Sequence, residues 1–369
     1  MIPPVWFVIY FYSSLRFDFH LRLCDNGKYI TEIPYFLMKE RKTMATLKDV
    51  AELAGVTVTT ISRMLNNRAN VSDKTRARIE AAMAQLDYQP NEIAQSLIKN
   101  KTNMIGLIVP SARNFFFATI IDRVEYYVCQ NGYKLLLCVS DLDLKKEVEY
   151  FNMLKSNKVA GVILASHTQN LLEHVSFQAP IITIDRTISQ EIPSVCADNY
   201  SGGRLAAEHL LTKGCRRLAY ISGSADIVMD ANKRFIGFRD VCLERGAKPP
   251  LMIDASERSF ISMQYRPLIQ EMFSANPDID GVFSSNDIIA AQLLQYCSES
   301  GIRVPEQLKV VGYDDVDIAS LITPRLTTIR QPVDEICRHA VHSIISASNG
   351  ETIPSSVTFP VKLVERGTT

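Results

Sequence analysis

From Met104 onward, short apolar runs alternate with longer amphipathic segments, and no other feature constrains the fold as tightly. The first series reads as strands Ile105–Val109, Lys134–Val139, Gly161–Ala165, Ile181–Ile184 and Ser194–Ala197, with helices such as Ala118–Gln130 and Lys145–Asn157 between them. A second series follows: helix 203–213, strand 218–222, helix 234–245, strand 252–254, helix 261–273, strand 281–285, helix 288–299 and strand 308–312. Strands apolar along their whole length are buried on both faces, which calls for parallel sheets covered by helices. Two series of similar length predict two similar lobes.

Parallel sheets present ligand-facing residues at the carboxyl ends of their strands. Here those ends are Ser111 to Phe117, Ser140-Asp141, Ser166-His167, Asp185-Arg186, Asp198-Asn199, Ser222 to Ser224, Ser284 to Asp287 and Tyr313 to Asp315. Polar groups thus gather where a cleft between lobes would lie, with an aromatic wall from Phe115, Phe116 and Phe117. Carboxylate, amide and guanidinium groups beside ring faces suit a polyhydroxylated ligand.

The stretch Ala45 to Asn67 is different in kind. It predicts two short helices, Leu47–Leu53 and Thr57–Leu65, around a tight turn where Gly55 takes φ > 0. Val50, Ala51, Ala54, Val56, Ile61 and Leu65 form one apolar seam. That leaves Val58, Thr59, Ser62 and Arg63 on the outer face of the second helix, a surface that suits a DNA major groove. Ser72 caps a third helix running to Leu86, which closes the mini-domain. Pro90 then opens a segment too short to be a stable helix in isolation. Residues 44–103 carry eight Lys/Arg against six Asp/Glu, while 104–369 carry 26 against 30, so the head is the basic part.

Residues 1–43 do not fit this pattern. Ile2 to Tyr12 is apolar but too short to span a membrane and lacks the basic start of an export signal. The expectation is a translated leader without structure, with Met44 as the functional start. The eight cysteines are scattered, with no C-x-x-C pair, as buried thiols in a reducing cytosol would be. No histidine keeps metal-ligand company, and there is no nucleophile elbow or phosphate-binding glycine loop; Ser201-Gly202-Gly203 is not G-x-G-x-x-G. No catalytic residue, metal site or cofactor is expected.

The motifs TLKDVAELAGVTVTTISRMLNN at 46–67, YQPNEIAQSL at 88–97, IGLIVP at 105–110, Asp185-Arg186, ADNYSGG at 197–203, FSSND at 283–287, VVGYDD at 310–315 and PRLTTIRQP at 324–332 resemble the LacI/GalR family of bacterial transcriptional repressors, in that family's order. Within it, APIITIDR, IPSVCADN and LTTIRQP look most like sucrose-operon repressors. The resemblance implies a multidomain chain: an all-α helix-turn-helix headpiece at 44–89, a hinge helix and linker at 90–103, and an α/β two-lobed core at 104–369, periplasmic-binding-protein-like (type I) and built of parallel sheets. The expected lobes are 104–199 with 316–350, and 200–315 with 351–369.

Residue by residue, the resemblance implies that Val58, Thr59 and Arg63 read bases and that Thr57, Thr60, Ser62 and Asn66 contact phosphates. Ala94 and Leu97 would enter the minor groove from the hinge. Phe116, Phe117, Asp185, Arg186, Arg234 and Asp287 would bind a small effector, a sugar or sugar phosphate. Gln95 and Ile98 depart from the basic residues of many members. The implied protein is a cytoplasmic, nucleoid-associated homodimer on a near-palindromic operator, with no membrane partner. Alternatives are a global carbon-control regulator served by a phosphoprotein co-repressor, and a sugar-binding receptor.

Overall fold

A computed structural model describes residues 45–65, 71–88, 102–168, 170–223 and 229–369. The leader 1–43, Asn66, the hinge segment with Ala94 and Leu97, and most of the loop after Gly223 lie outside the described residues. The chain divides into two units, residues 1–90 and 91–369.

The first unit holds helices α1 (Leu47–Ala54), α2 (Val58–Leu65) and α3 (Asp73–Gln85). Thr46 and Asp49 cap the start of α1 reciprocally: the Thr46 N–H donates to Asp49 Oδ2 at 2.7 Å, and the Asp49 N–H donates to Thr46 Oγ1 at 3.4 Å. Gly55 ends α1 in the left-handed region, φ 61°, as the turn requires. Arg78 of α3 donates to the carbonyls of Ala54 and Gly55, satisfying orphan acceptors at that helix end. Val50, Ala51, Ala54, Ile61, Met64, Ile79 and Ala82 form the core. Met64 is buried, whereas Leu65 and Val56, expected in the seam, are half-buried at its rim. Ile61 and Met64 are three apart and so share the inward face.

The second unit runs β1 (Met104–Val109), α4 (Phe115–Gln130), β2 (Lys134–Val139), α5 (Leu144–Ser156), β3 (Gly161–Leu164), α6 (Leu171–His174), β4 (Ile181–Ile184) and β5 (Ser194–Ala197). It continues with α7 (Asn199–Thr212), β6 (Leu218–Ile221), a 3-10 turn (Asp230–Asn232), α8 (Lys233–Glu244), β7 (Leu251–Ile253), α9 (Glu257–Ser262), α10 (Arg266–Ala275), β8 (Gly281–Ser284) and α11 (Asp287–Ser300). It ends with β9 (Lys309–Asp314), α12 (Ile318–Leu321), β10 (Thr327–Arg330), α13 (Val333–Ser348), β11 (Ser356–Phe359) and β12 (Lys362–Val364).

Two six-stranded sheets result, ordered β11-β5-β4-β3-β1-β2 and β12-β10-β9-β8-β6-β7. All pairings are parallel except β10 with β12. Central strands such as β3, β5, β6 and β8 are buried at every residue, while the edge strand β2 exposes Leu137. The expected continuous burial therefore holds in the sheet centres and fails at the edge, where only one neighbour covers the strand.

The lobe boundaries differ from expectation. Thr327–Arg330 pairs with β9 in the second sheet, Ile329 opposite Tyr313, and only then does the chain return to the first lobe. Ser356–Phe359 joins the first sheet, Val357 opposite Val195, before β12 closes the second. Thr327 and Thr328 are fully buried, so this strand carries no apolar run to announce it. The expected helix 261–273 is also two helices, α9 and α10, separated at Met263, which has φ 54°.

The Ser201-Gly202-Gly203 stretch has a packing role. A Cβ on Gly203 would lie 1.9 Å from the Arg234 carbonyl oxygen, and one on Gly237 would lie 2.1 Å from that of Tyr200. The two glycines let α7 and α8 meet backbone to backbone, which fixes where Asn199 and Arg234 begin their helices.

Candidate functional site

In the first unit, Val58, Thr59 and Arg63 are exposed on the side of α2 opposite Ile61 and Met64. Ser62 and Thr60 are half-buried beside them. Thr57 is first of all a helix cap: its Oγ1 accepts the Thr60 N–H at 3.2 Å and lies 2.9 Å from Thr60 Oγ1. The face is short, polar and singly basic. An arginine there can fork onto a guanine edge, and Val58 and Thr59 offer methyl groups to thymine.

In the second unit, the cleft between the sheets is organised around Arg234, which is almost fully buried. Its Nε donates to Asn199 Oδ1 at 2.7 Å, and one terminal nitrogen donates to the Ser285 carbonyl at 2.6 Å. Its guanidinium lies 3.8 Å from Asp185 Oδ2 and 3.9 Å from Asp314 Oδ1, with the Tyr313 ring beneath it at 3.6 Å. Asp185 belongs to the first lobe and the other partners to the second, so the arginine joins the two. Burial pushes both carboxyls above the usual range, while Arg234 with Asn199 at Asp185, and Arg234 with Gln331 at Asp314, oppose it. Burial also works against the arginine's charge, but Tyr313, Asp314 and Asp185 outweigh it.

A cleft opens beside this group. The first lobe contributes Asn114, Phe116, Phe117, His167 and Asp185, and the second contributes Gly223, Met229, Ala231, Asn232, Arg234, Phe260, Ser285, Asn286 and Asp314. Phe116 and Phe117 meet edge to face, their centroids 5.4 Å apart. Asn114 caps α4 and holds that wall: its Oδ1 accepts the Phe116 N–H at 3.0 Å. A second lobe-to-lobe contact borders the cleft at Asp230, which accepts from the Thr187 hydroxyl at 3.0 Å and the Cys196 thiol at 3.2 Å.

Four of the six expected effector residues line this cleft: Phe116, Phe117, Asp185 and Arg234. Two do not. Arg186 turns into the first lobe and donates to the Ser166 carbonyl at 3.0 Å. Asp287 lies below the floor, its oxygens accepting from the Val316 N–H at 3.0 Å and the Thr328 hydroxyl at 2.6 Å. Phe115, expected in the aromatic wall, points outward and is 44% exposed.

With both sites in view, likeness to known proteins becomes informative. Residues 46–91 match the bacterial regulatory proteins of the lacI family, and residues 207–369 match the periplasmic binding protein-like domain. The chain is 36% identical to the ribose operon repressor of Bacillus subtilis (strain 168), a match that covers 88% of this chain and 99% of that one. The chain belongs to the lacI family.

It is also 34% identical to the sucrose operon repressor of Streptococcus mutans, over 87% of this chain and 98% of that one. Among solved structures, it resembles the lac repressor dimer bound to operator and the anti-inducer ONPF, with a TM-score of 0.75, 26% identity, and coverage of 88% of this chain and 98% of that one. Ribose and sucrose relatives thus stand at nearly the same distance from this lacI-family chain. Among its described residues, no helix is long and apolar enough to cross a membrane.

Several lining residues escaped the sequence reading of this lacI-family cleft. Ser285, Asn286 and Asp314 do sit at the strand ends where polar residues clustered, but that signal did not rank them. Phe260 carries no strand-end signal at all; it reaches the cleft from α9, a helix the sequence did not separate from α10.

Proposed function

We propose that this chain is a sugar-responsive repressor that binds a near-palindromic operator as a homodimer. In this reading, Val58, Thr59 and Arg63 read bases, and Thr57, Thr60 and Ser62 position the helix on phosphates. The sugar sits between the lobes and changes their relative setting, which alters the grip on DNA. The observation that carries this reading is Arg234, held between Asp185 of one lobe and Asp314 of the other beside two phenylalanine rings.

The same geometry favours an uncharged sugar over a sugar phosphate. Arg234 is the one Lys or Arg among the described lining residues, and it already faces two carboxyls. A phosphate entering the cleft would meet those carboxyls with no cation free to pair with it. We read the cleft as a binding site and the chain as a cytoplasmic regulator with no enzymatic activity. Rings that cover C–H faces and polar groups that fix hydroxyls account for the cleft's residues.

The test is fluorescence anisotropy with DNA from the gene's own upstream region, with and without free and phosphorylated sugars. The expected result is two chains per duplex, an affinity altered by a free sugar, and no response to its phosphate. Arg63→Ala is expected to weaken operator binding by about 1–3 kcal/mol and to relax the preference at one base position. A protein that binds no DNA would remove the repressor reading, and a response to the phosphate alone would reverse the choice of effector class.

A further inference from the structure

His167 is 3% exposed and lines the cleft three residues past β3. Neither ring nitrogen makes a hydrogen bond of good geometry, although the Asp185 main chain is near enough to act on the ring. Buried polar atoms in native structures nearly always have a partner, so an imidazole with a nitrogen left unmatched, facing a cleft, calls for one. Its neighbours do not share this condition. The Ser166 hydroxyl donates to Glu147 Oε1, as does that of Thr168 at 2.7 Å, while the Ser166 carbonyl accepts from Arg186. The loop is therefore anchored into the first lobe on both sides of His167, and the intervening side chain is turned the other way, edge-on to Phe117 with centroids 6.3 Å apart. Burial first, and then the Arg186 guanidinium, keep the ring neutral, its pKa lowered to about 4 against the pull of the Asp185 main chain. A neutral imidazole has one N–H donor and one bare nitrogen, the same pair of functions as a hydroxyl.

We propose that His167 is a specificity residue of the first lobe, exchanging a hydrogen bond with one hydroxyl of a bound, uncharged sugar. The inference rests on the reading of this cleft as an effector site. It divides the work of recognition: Arg234 with Asp314 serves the second-lobe side of the ligand, and the imidazole reads a hydroxyl from the first-lobe wall.

The test is calorimetric titration of the full-length protein with D-ribose, sucrose and a set of other free pentoses, hexoses and disaccharides, followed by the monodeoxy analogues of whichever sugar binds. His167→Leu is expected to lower affinity for that sugar about tenfold or more while leaving sugar-free operator binding unchanged. His167→Asn, which keeps a donor and an acceptor, is expected to recover part of the loss. One deoxy analogue should bind the natural protein more weakly than the parent sugar does, yet bind His167→Leu equally well. That analogue identifies the hydroxyl and separates recognition from packing. If His167→Leu folds poorly, the same comparison is made with His167→Asn. Equal deoxy penalties in natural and substituted protein would overturn the inference and leave the sugar reading intact. A natural protein that binds none of the sugars would overturn both.

Discussion

The Arg234 guanidinium lies 3.6 Å from the centroid of the Tyr313 ring. The stack fixes the plane of a group that also donates to Asn199 Oδ1 and the Ser285 carbonyl. A lysine would keep the charge but could neither lie flat on the ring nor present the fork. Arg234→Lys is therefore expected to lower sugar affinity at least tenfold while the headpiece still binds operator, so that the repressor becomes unresponsive. Titration calorimetry and operator binding measured on one preparation check this. Unchanged sugar affinity would remove Arg234 from the site.

Arg234 stands where it does because Gly203 lets α8 approach α7. With a Cβ only 1.9 Å from the Arg234 carbonyl oxygen, Gly203→Ala must push the two helices apart. Overpacking of this kind costs about 1–3 kcal/mol. The obstacle is backbone, which cannot rotate aside as a side chain can. A lower melting temperature is expected together with weaker sugar binding, since the arginine moves with its helix. An alanine variant that melts like the natural protein would show that the helices have room to spare.

Periodicity made the parallel sheets legible because central strands are apolar at every position, and the headpiece legible because Gly55 and the apolar seam fall at helix-turn-helix spacing. It failed at β10, where Thr327 and Thr328 are buried with their hydroxyls bonded to Thr369 and Asp287, so that polar residues fill a core strand. The cleft was half legible for a related reason. Strand ends announced Asp185 and a polar cluster around Ser285. Which of two adjacent polar residues turns inward depends on local φ/ψ, and Asp185 itself has φ 55°. Adjacent side chains diverge at such a bend. That is how Asp185 faces the cleft while Arg186 turns away, and sequence spacing does not encode it.

His167 also predicts a pH dependence. Its ring titrates near 6.5 when exposed and at about 4 in the fold, so between these values the unfolded chain binds the extra proton. The stability that this group contributes is complete above pH 6.5 and is lost as pH falls, by about 3 kcal/mol at pH 4. Asp185 and Asp314, whose carboxyls are raised, act in the opposite sense and favour the fold as pH falls. Comparing the natural protein with His167→Asn by urea unfolding from pH 7 to pH 4.5 isolates the histidine, because the carboxyls are common to both. The stability difference between the two should shift steadily in favour of the variant as pH is lowered. A difference that stays constant with pH would mean the ring is not buried neutral.

Asp287 separates a structural role from a binding one. It is fully buried at the first residue of α11, and its oxygens take the Val316 N–H and the Thr328 hydroxyl. Gly312 packs so closely that a Cβ there would lie 2.3 Å from Asp287 Oδ1. The carboxyl thus ties the start of α11 to the segment after β9 and to β10. Burial, then Asp314, push it well above the usual range, against those two donors. Asp287→Ala strands both donors and is expected to cost about 2 kcal/mol or more. Sugar affinity should fall with it, because Ser285 and Asn286, immediately before it, line the cleft. Asp287→Asn keeps one acceptor and the shape, so it should melt closer to the natural protein and keep its sugar affinity within a few-fold. Thermal melts and titrations of both variants decide the matter. If Asp287→Asn melts normally yet no longer binds sugar, the carboxylate touches the ligand itself, and the floor of the cleft must open when the sugar enters.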